Sequence, residues 1–301
     1  MRSNRDYSLR EKMAFLRHFI LSRLSLFYFK FISGSRITFV RDGGIGDAIM
    51  ASDVISQFNK KFPKARIQLM VEYPELYKVG SPKPYTFFSF PSIRLSYGHY
   101  DLKALGLKPR HIRSIMRSMA GITSLESSTN LAVFEGMPTA QPSNMNYQLK
   151  TRYAVIQPEV GDWFKEKNWE VSKWNDLIQM LLDDFEIIYQ IGTSQESVLN
   201  GIVDLRGKTS IMESCSLIKH ASFFLGVNSF GEQAAGSFSV PSVVLYGPTN
   251  PVYSTNLGQV ALFGSKGRYV FGEKCEEYNF PRMSEIESAR VYSEVKTLIE
   301  K

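Results

Sequence analysis

Residues 37–72 read ITFVRDGGIGDAIMASDVISQFNKKFPKARIQLMVE, and their pattern sets the fold class. ITFVR (37–41) is a short β-rich apolar run. Residues 48–62 place Ile49, Val54, Ile55, Phe58 and Phe62 at helical spacing, and Pro63 ends the run. IQLMVE (67–72) then reads as a second strand. A strand, a tight glycine-rich turn, a helix and a strand make a parallel α/β unit.

The turn carries Asp42, Gly43, Gly44, Gly46 and Asp47. Gly44-x-Gly46 after a strand suggests a dinucleotide fingerprint, but Ile49 stands where the third glycine belongs. Glu72 comes later than the usual acidic residue, so a nicotinamide-dependent oxidoreductase rests on the turn alone. Glycine permits positive φ and close approach of a ligand or backbone. An N-cap role would explain Asp47 by itself, but it does not explain three neighbouring glycines.

On the N-terminal side, residues 8–32 place Leu9, Met13, Leu16, Ile20, Leu24, Phe27 and Phe31 at spacings of three and four. Charged residues interrupt the run, which falls short of the roughly 20 apolar residues a spanning helix needs. No small-residue cleavage pattern follows a continuous apolar core, so no signal peptide is expected. Two readings stand: a basic amphipathic helix lying in a membrane interface, or a helix packed on the domain or on a partner subunit. C-terminal to the opening unit, residues 85–90 (YTFFSF) suggest a third strand and residues 111–122 a basic helix. Residues 123–150 are polar and weakly periodic, and they place a domain boundary near 145–151. The expected division is therefore 1–34, an N-terminal helix; 35–150, a first Rossmann-like domain; and 151–301, a second.

The second half repeats the alternation. Strands are expected at 153–158, 186–192 and 223–228 and a strand and loop at 241–251, with helices at 171–185, 210–221 and 232–238. Ligands in doubly wound sheets bind beyond the carboxyl ends of the strands. Those ends carry DGGIGD, QPEVGDWFKEKNW, GTSQE, NSFGEQ and GPTNP. Lys165, Lys167 and Lys173 stand among three tryptophans before a helix, where a lysine can meet a phosphate held by the helix amides. The bland reading packs the tryptophans and solvates the lysines.

Formal charge is +7, and its distribution is uneven. Residues 1–36 carry eight basic and two acidic side chains, residues 37–150 fourteen and eight, and residues 151–301 fourteen and nineteen. A basic first half suggests an anionic partner. No interleaved basic and aromatic motif of the RNA-binding kind is present, so nucleic acid ranks low. Cys215 and Cys275 lie far apart, and His18, His99, His111 and His220 form no ligand spacing. No zinc site, disulfide framework or other metal centre is expected.

In four places together the chain resembles glycosyltransferase family 9, the heptosyltransferase-like enzymes of lipopolysaccharide core assembly. These are the strand with G-x-G-D and F-P-x-A-x-I (37–67); Lys167 to Trp174; G-V-N-S…S-V-P-S-V-V-L-Y-G-P-T-N-P (226–251); and Met283-Ser-Glu-Ile286 with the closing helix. The resemblance implies a GT-B architecture, with two Rossmann-like domains facing a cleft. The acceptor would lie on the first and a nucleotide-sugar donor on the second. It implies Asp47 as general base in an inverting displacement. Donor contacts would come from Lys167, Glu196, Asn228, Ser229, Gln233, Gly247 and Thr249. Acceptor contacts would come from Gly44 and Gly46 and, from the basic stretch after residue 107, Arg110 and Arg113. It implies no cofactor beyond the nucleotide sugar, with ADP-heptose one candidate. The expected acceptor is an anionic saccharide or glycolipid, and the expected location is the cytoplasmic face of a bacterial inner membrane, with residues 8–32 as the membrane contact. The family block commonly reads D-[ST]-G-x-x-H, whereas Asn228, Phe230 and Gln233 stand here. That change bears either on donor choice or on activity, and the alternative is a weak or inactive homologue that binds a sugar nucleotide or partner glycosyltransferases.

Overall fold

The computed structural model describes residues 9–33, 36–84, 90–95, 111–122, 152–161, 164–264 and 282–300. The chain divides into two compact units, the first holding the described residues up to 122 and the second those from 152 on. The expected boundary near 145–151 lies outside the described residues, as do residues 85–89 of the strand expected at 85–90.

The first unit opens on α1 (Leu9–Tyr28), which continues through a π-turn to Ser33. β1 (Arg36–Arg41) follows, then α2 (Ile45–Lys61) and β2 (Arg66–Val71), as the opening pattern predicts. Two short strands complete a sheet: β3 (Ser81–Pro82) beside β2, and β4 (Ser92–Arg94) on the free side of β1. The order is β3-β2-β1-β4, and every pairing is parallel. The chain runs outward from β1 to β3 and returns to the other side of β1, which places a topological switch between β1 and β4. Ile37, Phe39, Ile49, Val54, Ile55 and Phe58 form the buried centre. Phe29 extends it, with its ring 5.5 Å from Phe58 and 5.4 Å from Phe62. α3 (Ile112–Met119) packs on α2.

The packing of α1 reverses the obvious reading of its stripe. Ser22, Ser25, Leu26 and Phe29 turn inward and are buried, and Ser25 Oγ accepts the Ser92 amide at 3.0 Å. The periodic apolar residues Met13, Leu16, Ile20, Leu24, Phe27 and Phe31 point outward, Phe31 with 72% of its surface exposed. The helix therefore packs on its domain by one face, and these apolar residues of the other face are exposed.

The second unit is a six-stranded parallel sheet ordered β10-β9-β8-β5-β6-β7. Its strands are β5 (Tyr153–Gln157), β6 (Ile187–Gln190), β7 (Val203–Asp204), β8 (Phe223–Val227), β9 (Ser242–Tyr246) and β10 (Gln259–Phe263). The switch falls between β5 and β8. Four of these strands are buried at every residue or nearly so, as expected of a sheet covered on both faces. α4 (Val171–Leu181), α5 (Ile211–His220), α6 (Phe230–Ser237) and α7 (Ser288–Ile299) supply the covers. Trp174, Leu177, Ile178 and Leu181 of α4 pack with Val291 and Val295 of α7 in the main cluster.

Candidate active site

In the first unit the functional side chains stand at the carboxyl end of β1. The backbone of Gly43 has φ +120, a conformation that favours glycine. Gly44 is the N-cap of α2 at φ −65, so of the three turn glycines only Gly43 uses the left-handed region. Gly44 and Gly46 border Asp47 but show no contact that assigns them to an acceptor. Asp47 lies in the first turn of α2, three residues after the Gly44 N-cap. Its carboxylate pairs with Arg41, Oδ2 to Nη2 at 2.8 Å. Arg41 is buried and anchors the pair by donating from Nη1 to the Leu95 carbonyl at 3.1 Å. Beside them Asp42 takes both hydrogen bonds from Arg94 Nη1, at 2.8 and 2.9 Å. Burial raises the Asp42 carboxyl, but the Arg94 guanidinium outweighs it and holds the group below its ordinary value. Two carboxylates thus sit at the β1/β4 switch, each fixed by an arginine.

Two expected acceptor contacts fare differently. Arg110 lies outside the described residues. Arg113 has no exposed surface: its guanidinium sits 3.6 Å from the equally buried Asp53 of α2, with Arg117 at 3.8 Å from the same oxygen. Arg113, expected as an acceptor contact, here joins α3 to α2 through Asp53. Burial is the larger effect on Arg113 and lowers its pKa to about 10, against the pull of Asp53.

In the second unit Lys167 and Asn228 meet at the β5/β8 switch. Lys167 Nζ donates to Asn228 Oδ1 at 2.7 Å and to its backbone carbonyl at 3.3 Å, and both residues are buried. The neighbouring lysines separate by role. Lys173 donates to the Ser284 and Ile286 carbonyls and pairs with Glu287 at 2.9 Å, tying the C-terminal segment to α4. Trp169 joins the same tie through Nε1 to Ile286 O at 3.0 Å, and Trp174 is core. Gly247 lets the turn carrying Lys167 approach β9: a Cβ there would stand 2.7 Å from the Glu166 carbonyl. Ser229 is the N-cap of α6 without a side-chain capping bond. The Gly231 amide donates to Gln157 Oε1 at 2.8 Å.

Glu196 and Thr249 stand at the ends of β6 and β9. Glu196 Oε1 accepts from the Thr193 amide at 3.0 Å and from its hydroxyl at 3.2 Å. Its Oε2, and the hydroxyl of Thr249, are buried polar atoms without a hydrogen-bond partner among the described residues. Burial raises the Glu196 carboxyl, opposed by the two Thr193 bonds. Such atoms are rare in folded proteins and call for a reason. Gln233, expected at the donor, is buried, donating to Ser254 O at 3.0 Å and accepting from Asn256 Nδ2 at 3.3 Å. Sequence reasoning missed the group this belongs to. Glu232, Tyr246, Ser254, Asn256 and Gln259 surround Asn228 in one buried polar network. The one signal was Glu232, four residues after Asn228.

Two parallel-stranded units, each with its polar cluster at its own switch point, define an α/β protein of the GT-B fold. Solved structures share it. The ADP-heptose lipopolysaccharide heptosyltransferase II of E. coli matches at TM-score 0.63 and 14% identity, over 88% of this chain and 98% of that one. The iron-containing dodecameric glycosyltransferase TibC of enterotoxigenic E. coli matches at 0.65 and 16%, over 88% and 76%. The model of glycosyltransferase family 9 (heptosyltransferase) matches residues 112–262, half of the chain. The chain belongs to that family. Lipopolysaccharide heptosyltransferase 3 of E. coli K12 is 27% identical over 146 residues, which span 44% of this chain and only 42% of that relative's length.

Proposed function

We propose that the protein is an inverting glycosyltransferase that moves a heptose or related sugar from a nucleotide donor to a lipopolysaccharide-core or other surface saccharide. The observation that carries this reading is the pair of buried orphan acceptors and donors, Glu196 Oε2 and Thr249 Oγ1, on the edge that also holds Lys167. Polar atoms left without partners at a sheet's carboxyl edge fit the hydroxyls of a ribose or sugar. Lys167 offers the positive charge that a diphosphate leaving group needs. The ADP-D-beta-D-heptose complex of TibC supports ADP-heptose as the first donor to try.

In the first unit Asp47 is the proposed general base. Its carboxylate would take the acceptor's hydroxyl proton as that oxygen attacks the anomeric carbon, and the sugar–phosphate bond breaks to release the nucleoside diphosphate. The Arg41 pair fixes the direction of the carboxylate. Asn228, Phe230 and Gln233, standing where the family block commonly carries Asp, Gly and His, favour a second reading, a slow or inactive homologue that binds the sugar nucleotide. One experiment separates them. Asp47→Asn should abolish donor turnover, by about a hundredfold or more, with calorimetric nucleotide affinity unchanged. Equal turnover in the variant would remove Asp47 from the chemistry.

The outward face of α1 is proposed as a membrane contact. Among the described residues no helix is long and apolar enough to cross a membrane, but Leu24, Phe27 and Phe31 are exposed beside Arg23 and Lys30. An apolar face rimmed by cations suits an anionic bilayer surface.

A further inference from the structure

The most heavily buried carboxylate in the donor-side unit belongs to no role assigned so far. Glu232, in the first turn of α6, has no exposed surface. Its Oε2 accepts from Asn228 Nδ2 at 2.5 Å, and its Oε1 accepts from the Tyr246 hydroxyl. Asn228 Nδ2 also donates to Ser254 Oγ at 2.9 Å, and Asn228 Oδ1 takes Lys167 at 2.7 Å. The amide of Asn228 is thus engaged at both ends, oxygen toward the ammonium group and nitrogen toward the carboxylate.

That sense is not arbitrary. An ionised carboxylate can only accept hydrogen bonds, whereas a neutral acid or an amide can also donate. With a carboxylate at 232, Asn228 must present its NH₂ inward and its oxygen to Lys167. With a donor at 232, the amide can reverse and turn an NH₂ against the lysine. Glu232 therefore selects the arrangement that holds Lys167.

We propose that Glu232 is the positioning residue of the nucleotide site, fixing Asn228 and through it the aim and charge balance of Lys167 toward the diphosphate of a sugar nucleotide. The inference rests on the donor reading of Lys167. It makes the site depend on one proton. The groups facing Glu232 are Lys167 from the turn before α4, Tyr246 from the end of β9, and the neutral Asn228, Ser254 and Gln259. Burial drives the Glu232 carboxyl up to about 7, against the opposing pull of Tyr246, Asn228 and Lys167. The ionised form, which holds Asn228 and Lys167, is therefore kept above about pH 7 and lost as Glu232 takes a proton below it. Affinity for a diphosphate then weakens as pH falls through about 7.

The test is calorimetric titration of the full chain with ADP, UDP and GDP at several pH values on either side of about 7. Wild-type affinity should fall on the acid side. Glu232→Gln should bind about tenfold more weakly on the alkaline side, one charge-assisted hydrogen bond, and should lose the part of the pH dependence that Glu232 adds, since the nucleotide's own titration is common to both proteins. Glu232→Asp should keep that dependence. If Glu232→Gln does not fold, Tyr246→Phe decides: removing that donor should move the fall in affinity to higher pH. Wild-type affinity and pH profile in Glu232→Gln, or an unmoved profile in Tyr246→Phe, overturns the inference while leaving the donor reading intact. A wild-type protein that binds no nucleotide overturns both.

Discussion

Thr249 shows most plainly what a single residue contributes here. Its hydroxyl is buried and makes no hydrogen bond among the described residues, which is unfavourable for folding unless a ligand uses it. Thr249→Val keeps the shape and removes the burden. Its thermal midpoint should equal or exceed the wild type, while nucleotide affinity falls by about tenfold, one hydrogen bond's worth. A stability loss with unchanged affinity would assign the hydroxyl to the fold. Asp47 and Asn228 make a complementary pair of lessons. Each was legible from sequence as a polar residue at a strand's carboxyl end, but neither partner was. Arg41 reads as the last residue of a strand, and Glu232 as a helix residue. A carboxylate's role depends on what faces it across the turn or helix, and no local pattern encodes that.

At the scale of elements, periodicity located helices well but did not decide which face of α1 packs. The stripe through Met13, Leu16, Ile20, Leu24, Phe27 and Phe31 has the spacing of a core-facing helix, yet the residues that pack are Ser22, Ser25, Leu26 and Phe29. Small serines allow close approach to β4, and Phe29 closes the aromatic group of Phe58 and Phe62. The two faces should therefore respond oppositely to substitution. Leu24→Glu with Phe27→Glu should leave the thermal midpoint nearly unchanged and release the protein from anionic vesicles in a sedimentation assay. Phe29→Ala should destabilise by about 3–5 kcal/mol with little direct effect on vesicle binding. Unchanged sedimentation of the double variant would end the membrane reading. Truncation of the helix is a poorer test, since it uncovers the Phe29 packing. β3, β4 and β7 were not legible because two or three residues carry no period, although β4 creates the switch point beside Asp42. The Arg113–Asp53 lock was hidden for a similar reason: a basic helix face looks solvated until its carboxylate is found on another helix.

For the whole molecule, the two sheets repeat one device. Each begins with a central strand, builds outward, returns to the other side, and gathers its polar side chains at the resulting switch. The strand–turn–helix signals were enough to foresee two such sheets, and the family resemblance supplied the GT-B pairing. The family match covers residues 112–262, largely the second unit. The charge split has a matching consequence: with the basic excess confined to residues 1–150, vesicle binding should fall steeply with salt. The measurement that reaches the central claim most directly is titration of the wild type and of Lys167→Met with ADP, UDP, GDP and CMP. The account predicts selective binding of one nucleoside diphosphate by the wild type, weakened by at least about tenfold in Lys167→Met, the loss of one charge-assisted contact. Wild-type binding that is indifferent to Lys167, or no binding of any nucleotide, would contradict it.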